Sequence, residues 1–135
     1  MLPEIDLRLR PDVNSPAEAR RSLEALRSSL NDVLVDDAVL LVSEIVSNSV
    51  RHASLDKSDA IRVRVRGSDS MLHVDVIDPG PGFDPEHVGP SEREGGWGLR
   101  LLDRLATRWG VERNDVIRVW FELTAPVSPR SASGT

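Results

Sequence analysis

The stretch "AIRVRVRGSDSMLHVDVIDPGPGF", residues 60–83, carries the reading on which the fold turns. "AIRVRVRG" and "SMLHVDVI" each alternate apolar and polar residues, the period of a strand with one buried face. Gly67, Ser68 and Asp69 lie between them, so the two read as a hairpin. Val74 and Val76 then face inward, and His73 and Asp75 face outward beside Arg62, Arg64 and Arg66. That charged face reads as solvated pairing across the hairpin, worth little energy. The strand stops on Asp78, and Pro-Gly-Pro-Gly follows. Taken alone, "DPG" is an ordinary turn. Yet Pro79 and Pro81 offer no N–H, so the loop is a poor phosphate nest. Gly80 and Gly82 leave bare backbone against which something flat can lie. A carboxylate acceptor beside such a surface suits a ring with an exocyclic amine. Adenine is the candidate, since its amine donates where guanine presents a carbonyl.

Outward from this hairpin the elements fall into order. Residues 5–10, "IDLRLR", read as a short strand. "NSPAEARRSLEALRSSL" starts a helix, with Ser15 as N-cap, Pro16 at the first helical position and Glu18 completing a capping box. After an acidic turn around Asn31 and Asp32, residues 36–53 form the longest helix. Residues 84–95, "DPEHVGPSEREG", lack periodicity and read as a mobile loop. "WGLRLLDRLATRWG" reads as an amphipathic helix ended by Gly110, and strands near 111–113 and 117–123 follow. The order predicts an α+β, two-layer sandwich with helices on one face of a mixed, mostly antiparallel sheet. Residues 1–124 are expected to form one domain and residues 125–135 a disordered tail.

The long helix carries a polar stripe. At about 100° per residue, Val35, Val39, Val42, Val46 and Val50 stack on one side, while Glu44, Asn48 and Arg51 lie together on the other. These three could be a wet face, but Leu40, Leu41 and Ile45 flank the acid. A carboxylate and an amide ringed by aliphatics resemble a pocket floor where a metal or a reacting water would sit. His52, near the helix end, reads as a charge partner of the terminus. A second glycine cluster, "GGWGLRLL", places Gly95, Gly96 and Gly98 at a helix start, where N–H groups converge on an anion. Trp97 reads as a packing residue, and loop 84–95 stands where a lid would go.

Bulk properties narrow the classes. The 135 residues suffice for one core, and 39% hydrophobic with 29% charged residues is ordinary for a globular protein. A net charge of −5 argues against nucleic acid or an anionic membrane as partner. The chain has no cysteine, hence no disulfide and no thiolate metal site, and it suits a reducing cytoplasm. Neither a signal peptide nor an apolar run of the roughly 18 residues a membrane span needs is visible.

"SEIVSNSVRHA", "DPGPGF" and "GGWGL" resemble, in order, the three boxes of the GHKL ATP-binding domain. That domain is shared by DNA gyrase, heat-shock chaperones, histidine kinases and mismatch-repair ATPases. Order, spacing and the short lid most resemble the anti-sigma-factor serine kinases and their actinobacterial relatives. The resemblance covers about residues 5–124. It implies ATP and Mg²⁺ as cofactors, with Glu44 as general base and Asn48 as the Mg²⁺ ligand. It implies Arg51 near the phosphates, Asp78 on the adenine amine, and Gly80 and Gly82 shaping the base pocket. Gly96, Gly98 and Leu99 would anchor the lid and reach phosphate. Ser49 replaces the usual alanine of the first box, and Ile117 and Arg118 stand where the family often shows Gly-Thr. A chain of this length has no room for a phosphoaccepting helical domain, which excludes a complete histidine kinase.

The resemblance thus implies a cytoplasmic, homodimeric serine/threonine-protein kinase that binds a sigma factor and phosphorylates an antagonist protein on serine. The alternatives are a non-catalytic ATP-binding switch and a detached catalytic domain serving a separate histidine phosphoacceptor.

Overall fold

The structure is a computed structural model. Its described residues are 4–10, 12–52, 60–68, 70–78, 100–114 and 116–125, without the side chains of Arg51 and His52. Strand β1 (Glu4–Leu9) is followed by helix α1 (Ser15–Glu24), a 3-10 turn (Ala25–Ser28) and helix α2 (Asp32–His52). The hairpin β2 (Ile61–Gly67) and β3 (Met71–Asp78) comes next. A short helical stretch, α3, covers residues 100–105, and β4 (Arg108–Arg113) and β5 (Ile117–Thr124) close the chain. The five strands form one sheet in the order β1-β2-β3-β5-β4, and all four pairings are antiparallel. The fold is an α+β sandwich, as expected, with a described sheet that is antiparallel throughout rather than mixed.

Alternation sets the layers. Ile61, Val63 and Val65 of β2, Leu72, Val74 and Val76 of β3, and Phe121 and Leu123 of β5 are buried on the face that α2 packs against. Each such side chain contributes about 1.5–3 kcal/mol relative to exposure. An exposed pair such as Arg62 with Asp6, two bonds of 2.9 and 2.7 Å, contributes far less, because water screens it. The apolar face therefore fixes the register. At the β2–β3 turn the Ser68 N–H donates to the Met71 carbonyl at 2.8 Å.

The helical layer is a pair. Ala19, Leu23 and Leu26 are buried along α1 and the turn after it, against Leu34, Val35, Ala38 and Val42 of α2. Arg27 joins the two helices across the turn, reaching Glu24 at 2.5 Å, Asp36 at 2.6 Å and Asp32 at 3.2 Å.

Four boundaries or contacts differ from the sequence reading. Ser15 is already helical and buried, and caps nothing. Its hydroxyl donates to the Arg10 carbonyl and accepts from the Asp12 N–H, so it fastens the incoming loop. Helix α2 starts four residues earlier than expected because Asn31 caps it, its side-chain oxygen accepting from the Val33 N–H at 2.8 Å. The helix expected to run to Gly110 ends by residue 105, and Arg108, Trp109 and Gly110 pair with β5. Gly110 lies opposite Trp120, and a Cβ there would come within 2.7 Å of the indole nitrogen. The glycine makes room for a ring rather than ending a helix.

The fourth concerns the outward face of the hairpin. Asp75 is only 5% exposed, and its carboxylate meets Arg118 of β5 at 2.5 Å instead of the arginines of β2. Trp120, its cross-strand partner, stacks on His73 with centroids 5.9 Å apart and helps exclude water. The first residue of the expected tail, Ala125, is still tied in, its N–H donating to the Ser70 carbonyl at 2.8 Å. Residues 126–135 and the loop at 84–95 lie outside the described residues.

Candidate nucleotide-binding site

Two elements supply the described part of the site. On α2, Glu44 and Asn48 stand one turn apart, both half-buried. Leu41 and Ile45 beside them are buried, whereas Leu40 is 43% exposed. The polar pair therefore marks the boundary between the packed and wet sides of the helix. It does not sit inside an aliphatic ring, because the helix buries only one arc and Leu40 falls beyond it. Asp37, two turns before Glu44, shares this boundary, and its carboxyl lies above its ordinary value through burial first and the neighbouring Asp36 charge second. The spacing of seven residues could have found Asp37 in the sequence.

Asp78 is the last residue of β3 and the fourth member of the inward row Leu72, Val74, Val76. At 5% exposure it is a buried carboxylate on the helix-covered side of the sheet. Its cross-strand partner on β5 is Ile117, so an isoleucine stands beside the carboxylate. Neither Asp78 nor Asn48 lacks a polar partner, and no described buried side-chain polar atom is unsatisfied. α2 packs against both β3 and β5, which puts the helix bearing Glu44 and Asn48 over the strands bearing Asp78 and Ile117.

Arg51 belongs to the last turn of α2, but its side chain is not among those described. Gly80, Gly82, Gly96, Gly98, Leu99 and Trp97 lie outside the described residues. Just beyond the second glycine cluster, Arg100, Leu101, Asp103 and Arg104 of α3 line an open cavity of about 470 Å³. Glu44, Asn48 and Asp78 are not among its lining residues, so the site rests on α2 and β3 and not on this cavity.

The donor set can be tested against Mg²⁺. Among the described residues no three His, Asp or Glu side chains gather to hold a metal. Mg²⁺ suits such a site, because it takes one or two protein oxygens and completes its shell with water and phosphate. The carboxamide oxygen of Asn48 is a donor of the required hard type.

A buried acid closes a strand beneath a helix that carries an acid–amide pair, the arrangement that the resemblance to GHKL ATPase domains implies. Residues 9–120 match the histidine kinase-like ATPase domain, and the chain belongs to that family. It is similar to proteins named serine-protein kinase RsbW. The one from Listeria innocua is 32% identical over 114 residues, covering 75% of this chain and 73% of that protein. The one from Bacillus licheniformis is 33% identical over 84 residues, covering 53% of this chain and 52% of the relative. The one from Bacillus subtilis is 30% identical over 98 residues, covering 63% and 61% respectively. The chain thus spans from about half to about three quarters of these relatives. Among solved structures, that of the RsbU and RsbW domains of Rv1364c from Mycobacterium tuberculosis matches with a TM-score of 0.68. Its identity is 19%, covering 91% of this chain and 33% of that one, and it bears on the fold alone.

Proposed function

We propose that this chain is an ATP-binding regulatory protein acting as an anti-sigma-factor serine kinase. It would bind a sigma factor and move the γ-phosphate of ATP to a serine of an antagonist protein. The carrying observation is Asp78, a carboxylate that ends an apolar strand row beneath the helix bearing Glu44 and Asn48. Membership of the ATPase-domain family and similarity to proteins named serine-protein kinases support the direction of the chemistry. A homodimer in a reducing cytoplasm is part of the same reading. Among the described residues no helix is long and apolar enough to cross a membrane.

The same reading assigns the chemistry. Asp78 accepts from the adenine amine and orients the base. Asn48 would hold Mg²⁺, which when bound offsets phosphate charge. Glu44 accepts the proton of the incoming serine hydroxyl as its oxygen bonds to the γ-phosphorus and the bond to the bridging oxygen breaks, releasing ADP. The flanking Leu41 and Ile45 keep that side of the carboxylate dry.

The test pairs binding with transfer. Wild-type protein with Mg·ATP and candidate antagonist proteins should yield phosphoserine. Glu44→Ala should lower the rate by about 10²–10⁴-fold with little change in ATP affinity. Asp78→Asn should lower ATP affinity in calorimetry by about 10- to 100-fold and keep the fold. Tight ATP binding with no transfer to any antagonist would leave the non-catalytic switch. Phosphate that is labile in acid and stable in base would point instead to a histidine acceptor. Unchanged affinity in Asp78→Asn would sink the pocket assignment.

A further inference from the structure

Asp78 occupies the last register position of β3, and its partner Ile117 is the first residue of β5. On its other side β3 is paired with β2 only as far as Ile77, opposite Arg62, so at Asp78 itself the strand pairing is that with β5. On the inner face the nearest support is the apolar contact of Val76 with Val119. On the opposite face a single guanidinium spans three strands. Arg118, one register position from Asp78, reaches Asp75 of β3 at 2.5 Å and Glu112 of β4 at 3.0 Å. Asp75 is 5% exposed while the Arg118 side chain keeps 30% of its exposure, so removing the guanidinium would leave a buried carboxylate without its main countercharge. His73 adds a further contact to Asp75 at 3.3 Å. These residues face away from the helices and cannot touch a nucleotide held between the sheet and α2.

We infer that Arg118 is a positioning residue for nucleotide recognition: by clamping β3 to β5 and β4 from the far face, it holds Asp78 where it can accept from adenine. The inference rests on the adenine reading of Asp78. It belongs to this chain in particular, since Arg118 stands in the segment where the family often shows Gly-Thr. A loosened strand end would blur the distinction between an amine donor and a carbonyl while leaving phosphate contacts alone.

The readout is therefore the ratio of ATP to GTP affinity, measured by calorimetry with Mg²⁺ on the full chain. Wild type should prefer ATP, and Asp78→Asn should erase the preference. Arg118→Met should lower the ratio about tenfold, with inorganic tripolyphosphate binding unchanged. Arg118→Lys keeps a charge opposite Asp75 but cannot fork to Glu112 as well, and should give an intermediate ratio. A purely structural role would lower the melting temperature and weaken both nucleotides alike, leaving the ratio at its wild-type value; that result overturns the inference. If Arg118→Met does not fold, Arg118→Lys decides: a wild-type ratio in that variant also overturns it. Absence of any ATP preference in wild type, with Asp78→Asn indifferent, would remove the pocket reading and the inference with it.

Discussion

A carboxylate changes meaning with the side of the sheet it faces. Asp75 and Asp78 lie on one strand, both 5% exposed, yet Asp75 is taken up by Arg118 and His73 on the open face. Asp78 points under the helices at the strand end. Asp37 is a third case, an acid held above its ordinary value by burial and by Asp36. The sign of its effect follows. Above the ordinary carboxyl value of 3.8 the unfolded chain ionises Asp37 more readily than the folded one, so the group destabilises the fold at neutral pH. Asp37→Asn should therefore raise the melting temperature at pH about 7, and the gain should vanish by pH about 3, below the unfolded value. An equal gain at both pH values in differential scanning calorimetry would contradict this account. Glu122 behaves in the opposite sense. Hydrogen bonds from Arg108 first, and His73 next, hold it below 4.5, so its stabilising share is present above that value and is lost as pH falls through the lowered one.

Among the elements, α2 matters most, because it builds the core with one arc and the site with its boundary. Its start depends on Asn31, whose side chain accepts from the Val33 N–H at 2.8 Å while its carbonyl accepts from Val35 at 3.1 Å. Asn31→Ala should cost about 1 kcal/mol in urea unfolding. Since Glu44 and Asn48 lie several turns from this cap, ATP affinity of the folded variant should not change. The capping signal is present in the sequence, but Asn31 followed by Asp32 suits a turn equally well, which puts the expected helix start at 36. The β4 boundary is a different kind of miss. "TRWG" carries good helix-ending signals, yet those residues pair with β5, where the indole of Trp120 lies across Gly110. A ring from ten residues downstream is not visible in local periodicity.

For the whole molecule, the two faces of one sheet divide the labour. The covered face supplies stability, and its centre is Phe121, fully buried and paired with Val74 and Trp109. Phe121→Ala should cost about 3–5 kcal/mol in denaturant, a large part of the roughly 5–15 kcal/mol a domain has. A loss under about 1 kcal/mol would mean the core is not centred on β5. The open face holds a lattice of ion pairs in which Arg118, Glu122 and Arg108 link β3, β5 and β4. Strands, hairpin, helix pair and the acid closing β3 were legible in the sequence, because period two and period 3.6 are local properties of neighbouring residues. The stripe of Glu44 and Asn48 was legible for the same reason, though the sequence placed Leu40 on the wrong side of it. Tertiary structure alone decided that β1 lies beside β2 and β5 beside β3, that Asp75 is buried against β5, and that Arg118 grips the sheet behind Asp78. Those contacts join residues roughly forty to sixty positions apart, and a pairing between distant segments leaves no periodic trace in either of them.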